Sequence, residues 1–241
     1  MNQFDQNNVF NRSSVTFNTF LSNVFSKLAI GLLVSGVIAA LVSINYYNII
    51  ALVGAGSFAI FMIIALVAEL VVGISFSARL MKMSKSAAWG CYIAYSALTG
   101  LSLALIIQNY TTGSVVFAFG ATVIMFTCMA IIGHNSNVDL TRFGTIAMVG
   151  LVAIIITSLL NALLFKSLMV NYLISVVGVL IFLGLIAYDM QKLKQFYERG
   201  SYDLEFQEKM MIYGAFTLYL DFINLFIRIL QIFGKGRSNK N

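Results

Sequence analysis

The sequence predicts an all-α, polytopic membrane protein with seven spanning helices, the last of them enclosed by the others. Three observations carry this reading. Of the 241 residues, 60% are hydrophobic and only 10% charged, with a mean hydropathy of +0.90, whereas soluble domains run nearer 25% charged. Seven stretches approach the roughly 20 apolar residues that a bilayer crossing needs. The last stretch also holds a row of polar side chains that lipid cannot hydrogen-bond, so it must face protein or water.

In chain order, residues 1–24, "MNQFDQNNVFNRSSVTFNTFLSNV", form a polar, Asn-rich segment with no basic cluster before a short apolar core. The apolar stretch after it is too long for a signal peptide and lacks a cleavage site, so it stays as the first helix. The spans are read as 27–46, 48–75, 87–107, 113–133, 144–165, 170–188 and 210–234. Together they make one membrane domain, 25–234, followed by a basic tail, 235–241. The chain has no proline, so kinks fall to Gly or Ser positions or to helix breaks. Glycines such as Gly54, Gly73, Gly100, Gly178 and Gly184 lie within spans, where they let helices approach closely. Cys91 and Cys128 also fall within spans, with neither a disulfide framework nor a CxxC pattern, and read as small packing residues. After the sixth span, "QKLKQFYERG" continues the helix past the bilayer, with Gly200 as its C-cap.

Lysine and arginine placement sets the orientation. Arg12, Lys27, Arg79, Lys82, Lys85, Arg142, Lys192, Lys194, Arg199 and Lys209 fall on the side of the N-terminus, against Lys166 alone in the opposite connections. The N-terminus is therefore expected in the cytoplasm. The tail, with Lys235, Arg237 and Lys240, breaks the pattern. It ends a full seventh span with an outer basic tail, or it follows a re-entrant segment that returns to the cytoplasm. The full span is the reading taken.

Three acids stand in or beside apolar helices, where an ionisable group is costly and by default marks a function. Glu69, in "ALVAELVVG", is either a pathway acid or a hydrogen-bonded carboxyl facing the bundle. Asp189 ends the sixth apolar run, with Lys192 at i+3 as a surface ion-pair partner in the structural alternative. Asp221 lies in "LYLDFINLF", with Asn224 at i+3 and Arg228 at i+7 on its face; an Asp221–Arg228 salt bridge is the structural alternative there. If the seventh helix starts inside the cell, Asp189 and Asp221 both approach the cytoplasmic half. Two carboxylates held close in low dielectric cannot both ionise cheaply, and they titrate as a unit. Sharing one proton, they tie two helices together; without it they repel or recruit a cation. Ca²⁺ prefers six to eight oxygens, so two aspartates would hold it weakly. Arg79, on the same side, is the candidate charge partner.

His134, at the inner edge of the fourth span, is a candidate modulator of a pH response, with an interfacial structural role as the alternative. Trp89, near Lys85, reads as an interface anchor. The sequence has no Gly-rich phosphate loop, metal-ligand cluster or nucleophile–base arrangement, so no enzyme chemistry is read from it. Orientation accounts for the net charge of +6, which leaves nucleic-acid binding without support.

The stretches "LTGLSLALIIQNY", "AFGATVIMFTCMAIIGHNSNVDLTRFG", "GVLIFLGLIAYDMQKLK" and "LYLDFINLFIRILQIFG" resemble, in order, the bacterial branch of the Bax inhibitor-1 (transmembrane Bax-inhibitor-motif) family. The resemblance runs from about residue 20 to 234. It implies seven helices with the last surrounded by the other six, Asp189 and Asp221 as a di-aspartyl pH sensor, and a pathway of the bacterial inner membrane that leaks Ca²⁺ when open. It also implies Arg79 as charge partner and Glu69 as pathway acid. No other cofactor is implied. Two positions depart from the family pattern: Arg228 stands where a neutral residue is expected, and Gln231 where an arginine is. Some bacterial relatives instead regulate a membrane-bound AAA protease, a role in which the polar N-terminal segment would be the contact.

Overall fold

The computed structural model describes residues 16–199 and 204–237, and among them it holds helices and no strand. The helices are α1 (Phe17–Ile44), α2 (Tyr46–Val53), α3 (Ala55–Arg79), α4 (Lys85–Ile107), α5 (Thr112–Asn135), α6 (Thr141–Leu160), α7 (Leu168–Arg199) and α8 (Leu204–Phe233). A 3₁₀ turn extends α3 through Lys82 and a π turn extends α6 through Phe165. All but α2 are long and apolar enough to cross a bilayer, which gives the expected seven.

Helix α8 is the centre of the bundle. Of its most apolar stretch 72% is buried, against 11% for α6 and 17% for α3. It packs along α1, α4, α5 and α7, while α3 lies on α4 and α6 lies on α7. The enclosure is thus a wall of four helices with two more outside it. Near its basic end α3 still reaches the centre, where Phe76 meets Phe216 with ring centroids 4.6 Å apart.

Aromatic rings seated against glycines join several of these helices. A Cβ on Gly144 would run into the Tyr188 ring, and one on Gly184 into the Phe143 ring, so α6 and α7 each give the other a ring and a notch. Gly31 of α1 does the same for Tyr92 of α4, whose hydroxyl donates to the Lys27 carbonyl at 3.1 Å. Without a hydrophobic drive between helices in lipid, such close packing is a main source of association.

Two boundaries differ from the sequence expectations. Helix α1 begins at Phe17, not near residue 27, because Phe20, Val24, Leu28, Gly31, Ser35 and Ala39 recur every three or four residues and are all buried. Residues 17–24 therefore belong to the bundle; residues 1–15 and the Gly200 cap lie outside the described residues. The second span is not one helix from 48 to 75. Gly54 takes φ +84°, a left-handed value that favours glycine, and divides the short α2, which buries no residue, from α3.

The tail agrees with the reading taken, a full seventh span. Helix α8 runs unbroken for 30 residues, about 45 Å at 1.5 Å per residue, and does not turn back. Beyond it the chain pairs with the α4–α5 connection. The Thr111 N–H donates to the Lys235 carbonyl at 3.0 Å and the Arg237 N–H to the Asn109 carbonyl at 2.9 Å, while the Lys235 N–H reaches Ser114 Oγ at 2.9 Å. The seventh segment thus crosses fully, ending opposite the α3–α4 turn, and the re-entrant alternative is set aside.

Candidate functional site

Helices α7 and α8 run antiparallel in a register that can be read from side chains. Leu193 fills the space beside Gly214, and Gly178 lies against the Arg228 side chain. Ser175 Oγ reaches Gln231 Oε1 at 2.8 Å. That register sets Asp189 near Thr217, whose hydroxyl lies beside the Asp189 carboxyl. Asp221 follows about one turn deeper, four residues or about 6 Å along the axis, on the same face of α8 as Thr217 and with Asp189 as its charged neighbour. The two aspartates, 32 positions apart in sequence, therefore share one helix–helix interface.

Their surroundings differ. Asp221 is 6% exposed, and its Oδ2 is buried with no hydrogen-bond partner. Asp189 is partly buried and lies inside a helix that continues to Arg199, so the helix-end dipole cost expected for an apolar run ending at 189 does not arise. Neither aspartate forms a salt bridge among the described residues. Lys192 does not close an ion pair with Asp189; its Nζ lies 5.7, 5.6 and 6.0 Å from the ring centroids of Tyr188, Phe196 and Tyr213. Such rings attract a cation through their quadrupoles, and its charge is still felt at Asp189 one turn away. Arg228 does not reach Asp221 either. Its Nη1 donates to Gln231 Oε1 at 3.2 Å, so the two departures from the family pattern touch each other and, through Ser175, hold α7. Asn224 donates to its own helix, at the Leu220 carbonyl, 2.8 Å away.

The remaining candidates lie elsewhere. Arg79 is exposed at the end of α3 and forms no salt bridge among the described residues. Glu69 is held by α4: Thr99 Oγ1 donates to Oε1 at 2.8 Å and Ser102 Oγ to Oε2 at 2.5 Å. Its other neighbours include Tyr95 and Tyr219. The Tyr219 hydroxyl is buried among Ser35, Ser96 and Thr99 with no hydrogen bond of its own. Tyr219 and Asp221 are two residues apart, about 200° around a helix. Glu69 therefore sits on the opposite side of α8 from the aspartates and does not share their interface. His134 stacks on Phe17, centroids 5.6 Å apart, while Phe17 and Phe20 both pack on Tyr197. That cluster anchors the start of α1, the structural role weighed for this histidine. Cys91 and Cys128 are free thiols.

Sequence reasoning missed Thr217 and the Thr99–Ser102 pair. The signals were present: Thr217 lies four residues before Asp221 on its face, and Thr99 and Ser102 are three apart in an otherwise apolar helix.

With this geometry in hand, comparison with known proteins gives a consistent result. A family model described as "Inhibitor of apoptosis-promoting Bax1" matches residues 17–238. An uncharacterized protein of Borreliella burgdorferi is 40% identical over 222 residues, covering 92% of this chain and 94% of that protein. The inner membrane protein YbhL of Escherichia coli K12 is 34% identical over 245 residues, covering 98% of this chain and all of the relative.

Proposed function

The chain belongs to the Bax inhibitor-1 family, and from that premise we propose that it is a pH-sensitive Ca²⁺ leak pathway of a bacterial inner membrane, gated by Asp189 and Asp221. The observation that supports this most is the buried, unpartnered Oδ2 of Asp221, with Asp189 as its nearest charge and no cation in salt-bridge contact with either among the described residues. An ionised carboxylate is costly in such a place, so proton occupancy and helix packing are coupled there. With the proton present, α7 and α8 stay together through the carboxyls and Thr217. With it gone, two like charges in low dielectric favour separation or a cation between them. On this reading the arrangement described here is the shut state, because Asp221 is buried and its Oδ2 is closed off from solvent. Ca²⁺ is the permeant ion, held weakly for want of further oxygens.

The test is Ca²⁺ flux into dye-loaded proteoliposomes between about pH 5 and 8, the range in which perturbed carboxyl pairs titrate. Wild-type flux changes with pH; Asp221→Asn and Asp189→Asn each flatten that dependence, and the double variant is no flatter than either, as a unit requires. An Asp221→Asn curve that tracks wild type would refute the gate. No wild-type flux at any pH would refute the pathway, and the role of protease modulator, which needs none, would take its place.

A further inference from the structure

At the basic end of the bundle, away from the aspartates, α1, α4 and α8 enclose a cavity of about 400 Å³ lined by Asn23, Lys27, Lys85, Gln207 and Glu208 among others. Lys85 is already matched, in an ion pair with Glu208. Lys27 has no carboxylate in salt-bridge range among the described residues; its Nζ lies 5.3 Å from the centre of the Trp89 ring, and it is near enough to Lys85 and Glu208 to feel both charges. Gln207 is 1% exposed, yet neither its Oε1 nor its Nε2 has a hydrogen-bond partner. Buried amides in native proteins are nearly always satisfied, so two unpaired atoms on one side chain point to a missing partner.

We propose that this cavity binds a singly charged phosphate group that comes with a hydroxyl, as in a glycerophosphate head group. Among the described residues, the cation of the cavity lining left unmatched is Lys27, which calls for one negative charge. The amide N–H of Gln207 needs an acceptor, which a phosphate oxygen provides, and its Oε1 needs a donor, which the hydroxyl provides. Trp89 and the two lysines are the side chains expected at the level of lipid head groups. The same chemistry could come from an anionic phospholipid or from dihydrogen phosphate in solution.

The full chain, purified and delipidated in detergent, separates these sources. Native mass spectrometry and melting curves are recorded with phosphatidylglycerol, with phosphatidylcholine and with inorganic phosphate. Phosphatidylglycerol binds one per chain and saturably, raises the melting temperature, and outcompetes phosphatidylcholine at least tenfold. Lys27→Met and Gln207→Leu each weaken it tenfold or more, whereas Lys82→Gln, outside the cavity, does not. Gln207→Leu melts no lower than wild type without lipid, because it removes two unpaired polar atoms; a merely structural glutamine would give the opposite result. Saturable binding of inorganic phosphate with the same dependence on Lys27 and Gln207 keeps the site and makes the source soluble. Equal binding of both lipids, wild-type binding by both cavity variants, or no saturable binding in any arm overturns the proposal.

Discussion

Gly133 of α5 is the position where one added methyl group should do the most damage beside the aspartate interface. A Cβ there would lie 2.7 Å from the Ala187 Cα and 2.8 Å from its carbonyl carbon. Carbon atoms settle at about 3.5–4.0 Å, so α5 and α7 must part by about 1 Å. The obstacle is backbone, which cannot swing aside as a side chain can, and places the cost near the upper end of the roughly 1–3 kcal/mol typical of overpacking. Alanine regains about 1 kcal/mol of helix propensity over glycine, leaving Gly133→Ala destabilised by about 2 kcal/mol. For a chain of this size that lowers the melting temperature by roughly 4–8 °C. Gly120, on the same helix, has nothing within 4 Å of the point where a methyl carbon would stand, so Gly120→Ala should melt at or slightly above wild type. Melting curves of the three proteins in one detergent decide the matter. Equal melting temperatures for Gly133→Ala and Gly120→Ala would refute the α5–α7 packing described here. Because Ala187 precedes Asp189 by two residues, Gly133→Ala should also shift the pH dependence of flux, while Gly120→Ala leaves it unchanged.

Other expectations follow from the same geometry. Thr99→Val combined with Ser102→Ala strips the Glu69 carboxylate of both hydrogen bonds and should cost about 1–3 kcal/mol, seen as lower melting, without moving the pH dependence of flux; a moved dependence would show that the two faces of α8 are coupled. Asp139 accepts hydrogen bonds from the Thr141 hydroxyl and N–H, the latter at 2.9 Å, which hold its carboxyl below the usual range. Its depressed folded value means that its contribution to stability is present above the ordinary carboxylate range and fades as pH falls through the folded value, so wild type should melt above Asp139→Ala at pH 7, with the gap closing in acid. Cysteines at Asn109 and Arg237 should react with an impermeant thiol reagent from the same face of the membrane, and a cysteine at Lys82 from the other; labelling of 237 and 82 from one face would contradict the full seventh crossing.

The fold was largely legible because bilayer physics makes apolar length almost sufficient to define a span, and the polar row on the last helix demanded enclosure. The aspartate interface was legible for the same reason: Asp221 had no place in lipid. What escaped the sequence were features set by contact between distant stretches. The polar-looking start of α1 carries a buried stripe that depends on Tyr197 and the α4 surface to be read. Gly54 resembles the packing glycines around it, and only its φ of +84° distinguishes a hinge from a notch. Lys192 looked like an ion-pair partner by spacing, but Tyr188 and Phe196 on its own helix and Tyr213 across the loop offered its charge a different seat. Glu69 and Asp221 read as members of one pathway until the angular positions of Tyr219 and Asp221 set them on opposite sides of the central helix.

The enclosed helix is also made after the helices that enclose it. Domains made N-terminal first fold in that order, yet here the four helices that wall the centre leave a slot that stays empty until residues 204–233 are synthesised. Tyr92 and Phe76, fully buried in the finished bundle, have no final partner on that side before then. Assembly of the bundle therefore requires threading a 30-residue plug, and the pairing of residues 235–237 with the α4–α5 connection fastens it once those residues have been added. A stop just before residue 204 should leave the slot unfilled, in a hollow bundle that membrane quality control removes.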